Sequence, residues 1–175
     1  AFTDQVLEHG RDLSGLDPSS HEAALAVNLD FGYPVGAFLP LGIGAKLTGT
    51  DPAWVFQPCQ AFYAAMLALT LVVLLRRLVP SPWPRAAAAS IAAQPALLYG
   101  YSLWGGIKEV AAAGLIALLA ATMPQSRDDL VPWRRPLPFV VGGAALLGVL
   151  SVSGAIWVAP FLVPLAVIAV RNHDR

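Results

Sequence analysis

The chain has 175 residues, 57% of them hydrophobic and only 13% charged, where an ordinary soluble domain carries about 25% charged residues. Its mean hydropathy of +0.63 and its long uncharged runs of Ala, Leu and Val exclude a disordered polymer despite 15 Gly and 15 Pro, and point to an all-α, polytopic helical membrane protein. Zero net charge leaves no electrostatic footprint for nucleic acid, and the single cysteine, Cys59, excludes a disulfide framework and a Cys-based zinc site.

Residues 1–30 carry Asp4, Glu8, Asp12, Asp17, Glu22 and Asp30 against one base, Arg11, so the chain begins in water. Asp4, Glu8 and Asp12 recur every four residues, the spacing of one solvated helix face. Residues 31–45 are uncharged but interrupted by Gly32, Pro34, Gly36, Pro40, Gly42 and Gly44. They fall short of the roughly 20 residues that cross a bilayer, which predicts a short interfacial or re-entrant helix over 31–49, with Asp30 as its cap. Residues 1–53 therefore form an external acidic segment, and 54–175 a transmembrane bundle.

The first span is predicted over 54–75, with Asp51 capping its amides and Pro52 at the first helical position. Arg76 and Arg77 stop it, and Ser81-Pro82 repeats the capping pattern before a second span over 86–104. Gly105 and Gly106 break the chain ahead of a third span over 109–125. The uncharged run 136–170 would measure about 52 Å as one helix, against a hydrocarbon core of about 30 Å. Residues Ser151, Val152, Ser153 and Gly154 near its middle predict a hairpin, with spans over 137–152 and 155–170.

Two independent patterns agree with about five spans. With residues 1–53 outside, the inner loops collect Arg76, Arg77, Arg85, Arg127, Arg134, Arg135, Arg171 and Arg175, while only Arg11, Lys46 and Lys108 stay outside, as the positive-inside rule demands. Trp54, Trp83, Trp104, Trp133 and Trp157 fall at span ends, alternately outer and inner, as an aromatic belt requires. The C-terminus is then cytoplasmic. Nine of eleven basic residues are Arg, which with the Ala, Gly and Pro excess suits a high-GC bacterial genome. The chain opens at Ala1 without the basic and apolar regions of a signal peptide, so we expect an excerpt from a longer membrane protein.

Gln94-Pro95 lies inside the second span, where Pro removes a backbone hydrogen bond and Gln adds a polar group that hydrocarbon penalises. It marks either a structural kink or the wall of a substrate cavity. Residues 99–109 are the densest polar and aromatic stretch of the apolar region. At helical spacing Tyr101, Trp104 and Lys108 share a face, and an ammonium beside aromatic rings suits a lipid phosphate, with Tyr99 available to a sugar or prenyl chain. The plainer account is a snorkelling Lys108 paired with Glu109 in an ordinary aromatic belt. Asp30 precedes the Gly32-Tyr33-Pro34 break at the membrane surface, and an external carboxylate such as Asp4 or Asp30 has the chemistry of a general base. His9, His21 and His173 are too scattered for a metal site, and Asp128-Asp129 reads as surface ion pairing among arginines.

The order of an acidic outer segment, a Gly32-Tyr33-Pro34 break with a short interfacial helix running to Gly49, and a capped span from Asp51 resembles the GT-C superfamily of membrane glycosyltransferases. Residues 99–109 look like a segment of its actinobacterial members. The resemblance covers about residues 20–125 and implies inverting transfer of a sugar from a polyprenyl-phosphate donor to an acceptor at the outer face of the bacterial cytoplasmic membrane. It implies that Lys108 holds the phosphate, while Tyr33, Gln94, Tyr99, Tyr101, Trp104 and Glu109 line the substrate site. The acidic motif of that family follows a first transmembrane helix, which would precede Ala1, so Asp4 stands nearest its place and activity belongs to the longer chain. The partners implied are membrane lipid, the polyprenyl-phosphate sugar and the remainder of the chain. No cofactor is called for, and a divalent metal, compatible with the family, has no ligand spacing here. The rival classes are a transporter or flippase module, with breaks at Gln94-Pro95 and Gly105-Gly106 beside a substrate path, and a non-catalytic scaffold. Transport predicts an internal repeat, and none is visible.

Overall fold

The computed structural model describes residues 2–94, 96–126, 129–130 and 132–171, and among them every regular element is helical, as the composition predicts. Helix α1 (Phe2–Glu8) ends at Gly10, whose φ of +62° suits only glycine readily, so Asp12 lies beyond it rather than on a shared acidic face. The Asp12 carboxylate instead accepts the Ser14 N–H at 2.8 Å. Helix α2 (Ser20–Leu29) starts on Ser19, whose Oγ accepts the Glu22 N–H at 3.1 Å. Its end turns through Gly32 (φ +75°), where the Tyr33 N–H closes on the Asn28 carbonyl at 3.0 Å. Val6, Leu25 and Leu29 bury one another, with Phe2, Leu13, Leu16 and Val35 around them, so this segment has a small core of its own.

Helix α3 (Phe38–Thr48) is shorter than the expected 31–49 because Gly32 and Pro34 keep the preceding residues out of helix. Asp30 does not cap it. Its N-cap position is Ala37, and Asp30 instead closes α2 through its own N–H on the Ala26 carbonyl at 3.0 Å. Gly42 on α3 faces α1, where Leu7 lies so near that a side chain at Gly42 would run into it.

Helix α4 (Pro52–Leu74) begins as the sequence dictates, with Pro52 first and Asp51 Oδ1 accepting the Ala53 N–H at 2.8 Å. Its 23 residues rise about 34 Å, and a 3-10 turn at Leu75–Arg77 ends it. The expected second span is two helices, α5 (Pro82–Ala92) and α6 (Ala96–Trp104), because the residue before a proline is pushed out of helical geometry and Gln94 precedes Pro95. Pro95 itself lies outside the described residues. Ser81 occupies the N-cap position of α5 without a side-chain bond, while Arg85 Nη1 reaches back to the Val79 and Pro80 carbonyls at 3.3 and 3.4 Å.

Gly105 (φ +92°) ends α6, with the Gly106 N–H on the Tyr101 carbonyl at 2.7 Å, and α7 (Ile107–Thr122) follows at once. Helix α7 packs between α4 and α8 (Leu137–Leu150). It buries Ile107, Val110, Ala111, Ala112, Ala117 and Leu119, and its alanines let the neighbouring helices come close. After α8 the chain reverses through Ser151 (φ +57°) and a 3-10 turn into α9 (Gly154–Arg171). The Phe139 and Phe161 rings meet at 6.2 Å, which a straight helix of that length forbids, so the hairpin expected at 151–154 is present.

The exterior is apolar. Among the described residues two stretches, Pro52–Arg77 and Leu137–Ile168, are long and apolar enough to cross a membrane, with mean hydropathies of 1.9 and 2.1, and only 11% and 17% of their most apolar parts lie inside the protein. A core helix of a soluble domain would be mostly buried. The chain exposes 11141 Å², whereas a compact soluble protein of its mass exposes about 8,200 Å². Phe62, Leu69, Val73, Val140, Val141, Ile156 and Val163 all point outward along α4, α8 and α9. The five tryptophans stand exposed at or just outside helix ends.

Candidate functional site

The residues singled out from sequence fall into two clusters and a remainder. The first cluster is built where the N-terminal segment meets the α6–α7 turn. The left-handed turn at Gly32 delivers Tyr33, and Arg11 holds it there, donating from Nη1 to the Leu29 carbonyl and from Nη2 to the Tyr33 carbonyl, both at 2.8 Å. The Tyr33 ring stands 6.0 Å from Phe2 and 6.3 Å from Phe38. Lys108, in the first turn of α7, places Nζ 4.1 Å from the centre of that ring. Glu109 Oε1 lies 3.9 Å from the same nitrogen, with the Lys108 and Glu109 side chains 23% and 31% exposed. Tyr101 packs against Gly106 so closely that a methyl there would fall 2.6 Å from its Cδ1 and 3.0 Å from Glu109 Oε2.

Tyr33, Tyr101, Lys108 and Glu109 are thus brought together, but not by the helical face expected for Tyr101, Trp104 and Lys108. The turn at Gly105 puts Lys108 on a different helix from the other two, and Trp104 stands exposed at the end of α6. The Lys108 ammonium therefore has a ring on one side, a carboxylate at ion-pair distance and partial access to solvent, an arrangement able to receive an anion.

The second cluster is a cavity of about 660 Å³ bounded by α4, α5, α6 and α7. Its polar wall is Gln57, Gln60, Ser90, Gln94 and Tyr99, and much of the rest is alanine. Gln94 and Tyr99 were expected at a site, whereas Gln57 and Gln60 were passed over inside an uncharged run. Their three-residue spacing puts them on one helix face, and that was the available signal. Gln60 is 2% exposed and neither amide atom has a hydrogen-bond partner in the protein. Gln60 lies about 13 Å along α4 from Asp51, and Gln94 about 20 Å from Ser81 on the antiparallel return, so the two meet at one depth.

The carboxylates stay apart from the cavity. Asp4 sits half-buried in the first turn of α1, two residues from Phe2, and Asp30 is exposed three residues before Tyr33. Among the described residues no group of three or more His, Cys, Asp or Glu is placed to hold a metal ion. Asp128 and His173 lie outside the described residues.

Among the described residues the fold and these clusters define an all-helical bundle with an apolar exterior, a cation beside an aromatic ring at one end and a half-open, uncharged cavity with five polar side chains on an otherwise apolar wall. Comparison with protein-family models, with curated proteins and with solved structures finds no match to this chain.

Proposed function

We propose that the chain crosses the bacterial cytoplasmic membrane five times, by α4, by α5 with α6, and by α7, α8 and α9, with residues 1–53 outside. In this reading it forms part of a glycosyltransferase that uses a polyprenyl-phosphate sugar. The topology draws support from contacts far apart in sequence. Tyr33 meets Lys108 at the start of α7, and Gly36 meets Gly148 near the end of α8, so the N-terminal segment touches both expected outer turns. Arg76, Arg77, Arg85, Arg134 and Arg135 flank the opposite ends of these helices.

The observation that carries the activity is the Lys108 ammonium held 4.1 Å over the Tyr33 ring and 3.9 Å from Glu109 Oε1, partly exposed. An acceptor hydroxyl attacks the anomeric carbon of the donor while an external carboxylate, Asp4 or Asp30, takes its proton. The bond from that carbon to the phosphate oxygen breaks, and the leaving polyprenyl phosphate carries its negative charge to Lys108. Lys108 with Glu109 alone would serve a plain scaffold equally well. The ring contact from Tyr33, 75 residues away, also brings the external segment to that ammonium, as a site shared by the two would need.

The test is sugar transfer by the full-length protein in liposomes. Lys108→Ala is expected to raise the KM for the lipid-phosphate donor at least tenfold, and unchanged donor binding would remove the assignment. Labelling both ends of the chain in intact cells tests the topology, since five crossings put them on opposite faces. The break between α5 and α6 beside a cavity favours a second reading, a transporter or flippase module, for which sealed liposomes would show headgroup translocation without transfer.

A further inference from the structure

We infer that the cavity between α4 and the α5–α6 break is a binding site for an uncharged, hydroxyl-bearing amphiphile, whose headgroup is held by Gln60. Burying an amide without partners is costly, and here both the nitrogen and the oxygen of Gln60 are buried in that state, on a wall shared with Gln57, Gln94, Ser90 and Tyr99. An amide offers donors and an acceptor side by side, so the complementary group must accept and donate at once, as hydroxyl groups do. Among the described residues no Asp, Glu, Lys, Arg or His lines the cavity, so a phosphate, carboxylate or ammonium held there would find no opposite charge. The rest of the wall, including Ala61, Ala64, Ala65, Ala68 and Leu69, offers only hydrocarbon and matches an apolar tail. A volume of about 660 Å³ falls within the roughly 300–1,000 Å³ of small-molecule sites.

This site is separate from the Lys108 cluster, since neither Lys108, Glu109 nor Tyr33 lines it. It does not depend on the transferase reading.

The experiment places the protein in phosphatidylcholine nanodiscs and titrates it with tritiated dodecyl glucoside. Saturable binding is expected, displaced by unlabelled dodecyl glucoside but at least tenfold less well by dodecyl sulfate, dodecylphosphocholine or methyl glucoside. Gln60→Leu is expected to weaken binding at least tenfold while raising the unfolding temperature, because it removes an unpaired buried amide and keeps the volume. Ala64→Leu, one turn further along the same face, is expected to block binding and leave helix content unchanged. Absence of saturable binding to the unaltered protein, equal displacement by the charged or tailless competitors, or full binding by both variants would overturn the inference. A Gln60→Leu protein that unfolds at lower temperature would also overturn it, since the amide would then be a structural bond.

Discussion

Gly36 and Gly148 meet backbone against backbone, and a side chain built at Gly36 would strike the Gly148 carbonyl, whereas one built at Gly148 would meet nothing within 4 Å. The contact seats the loop behind Tyr33 on α8. Two glycines in one contact therefore respond oppositely. Gly36→Ala is expected to cost about 1–3 kcal/mol through forced separation of the two segments. Gly148→Ala, inside a helix and facing open space, is expected to be neutral or to stabilise by about 0.5–1 kcal/mol. Thermal unfolding in detergent compares the pair, and equal effects would contradict the geometry.

Arg11 ties the end of α2 to Tyr33 through two carbonyls. The planar fork makes the two bonds from separate nitrogens held in fixed geometry, whereas a lysine offers a single nitrogen on a flexible stem. Arg11→Ala and Arg11→Lys are both expected to destabilise the outer segment by about 1–2 kcal/mol, with faster amide exchange between residues 28 and 37 and no change in α7 or α8.

The ring of Tyr33, rather than its hydroxyl, faces Lys108. Tyr33→Phe should preserve the interaction and Tyr33→Leu should lose it. A double-mutant cycle with Lys108→Ala should give a coupling of about 0.5–2 kcal/mol, and zero coupling would dismiss the contact.

Asp129 sets a pH response at the opposite end of the bundle. The Ser126 hydroxyl at 2.9 Å, then the Gln125 and Ser126 N–H groups at 3.1 Å, hold its carboxyl below the ordinary 3.8. A lowered folded value means that stability from this turn is complete above about pH 4 and is lost as pH falls through that lower value. Unfolding temperature between pH 5 and 3 should fall more steeply for the unaltered protein than for Asp129→Asn.

Much of the fold was legible in the sequence because its signals are local. Asp51-Pro52 starts α4, and Ser151 to Gly154 reverses the chain as their backbone preferences require. The five tryptophans, which the sequence places at span ends, stand at or near helix ends. The second span reads as one helix kinked at Gln94-Pro95, and the structure breaks it there into α5 and α6, because the residue before a proline is pushed out of helical geometry.

The site was legible only in part. Lys108, Glu109, Tyr101 and Tyr33 could be named as residue types, but the sequence alone grouped Lys108 with Trp104, because periodicity assumes one helix and Gly105 ends it. Gln60 gave no sign of its burial, since an uncharged run does not say which of its faces meets protein.

Sequence by itself determined that the chain is helical, apolar outside and turned at fixed points, because capping, breaking and hydropathy act over a few residues. Only the tertiary structure decided that Tyr33 lies over Lys108, that Gly36 rests on Gly148 and that Gln57 and Gln60 line one cavity with Gln94. Each of those pairs depends on how separate helices pack, and packing is set by the shapes of surfaces that no stretch of a few residues contains.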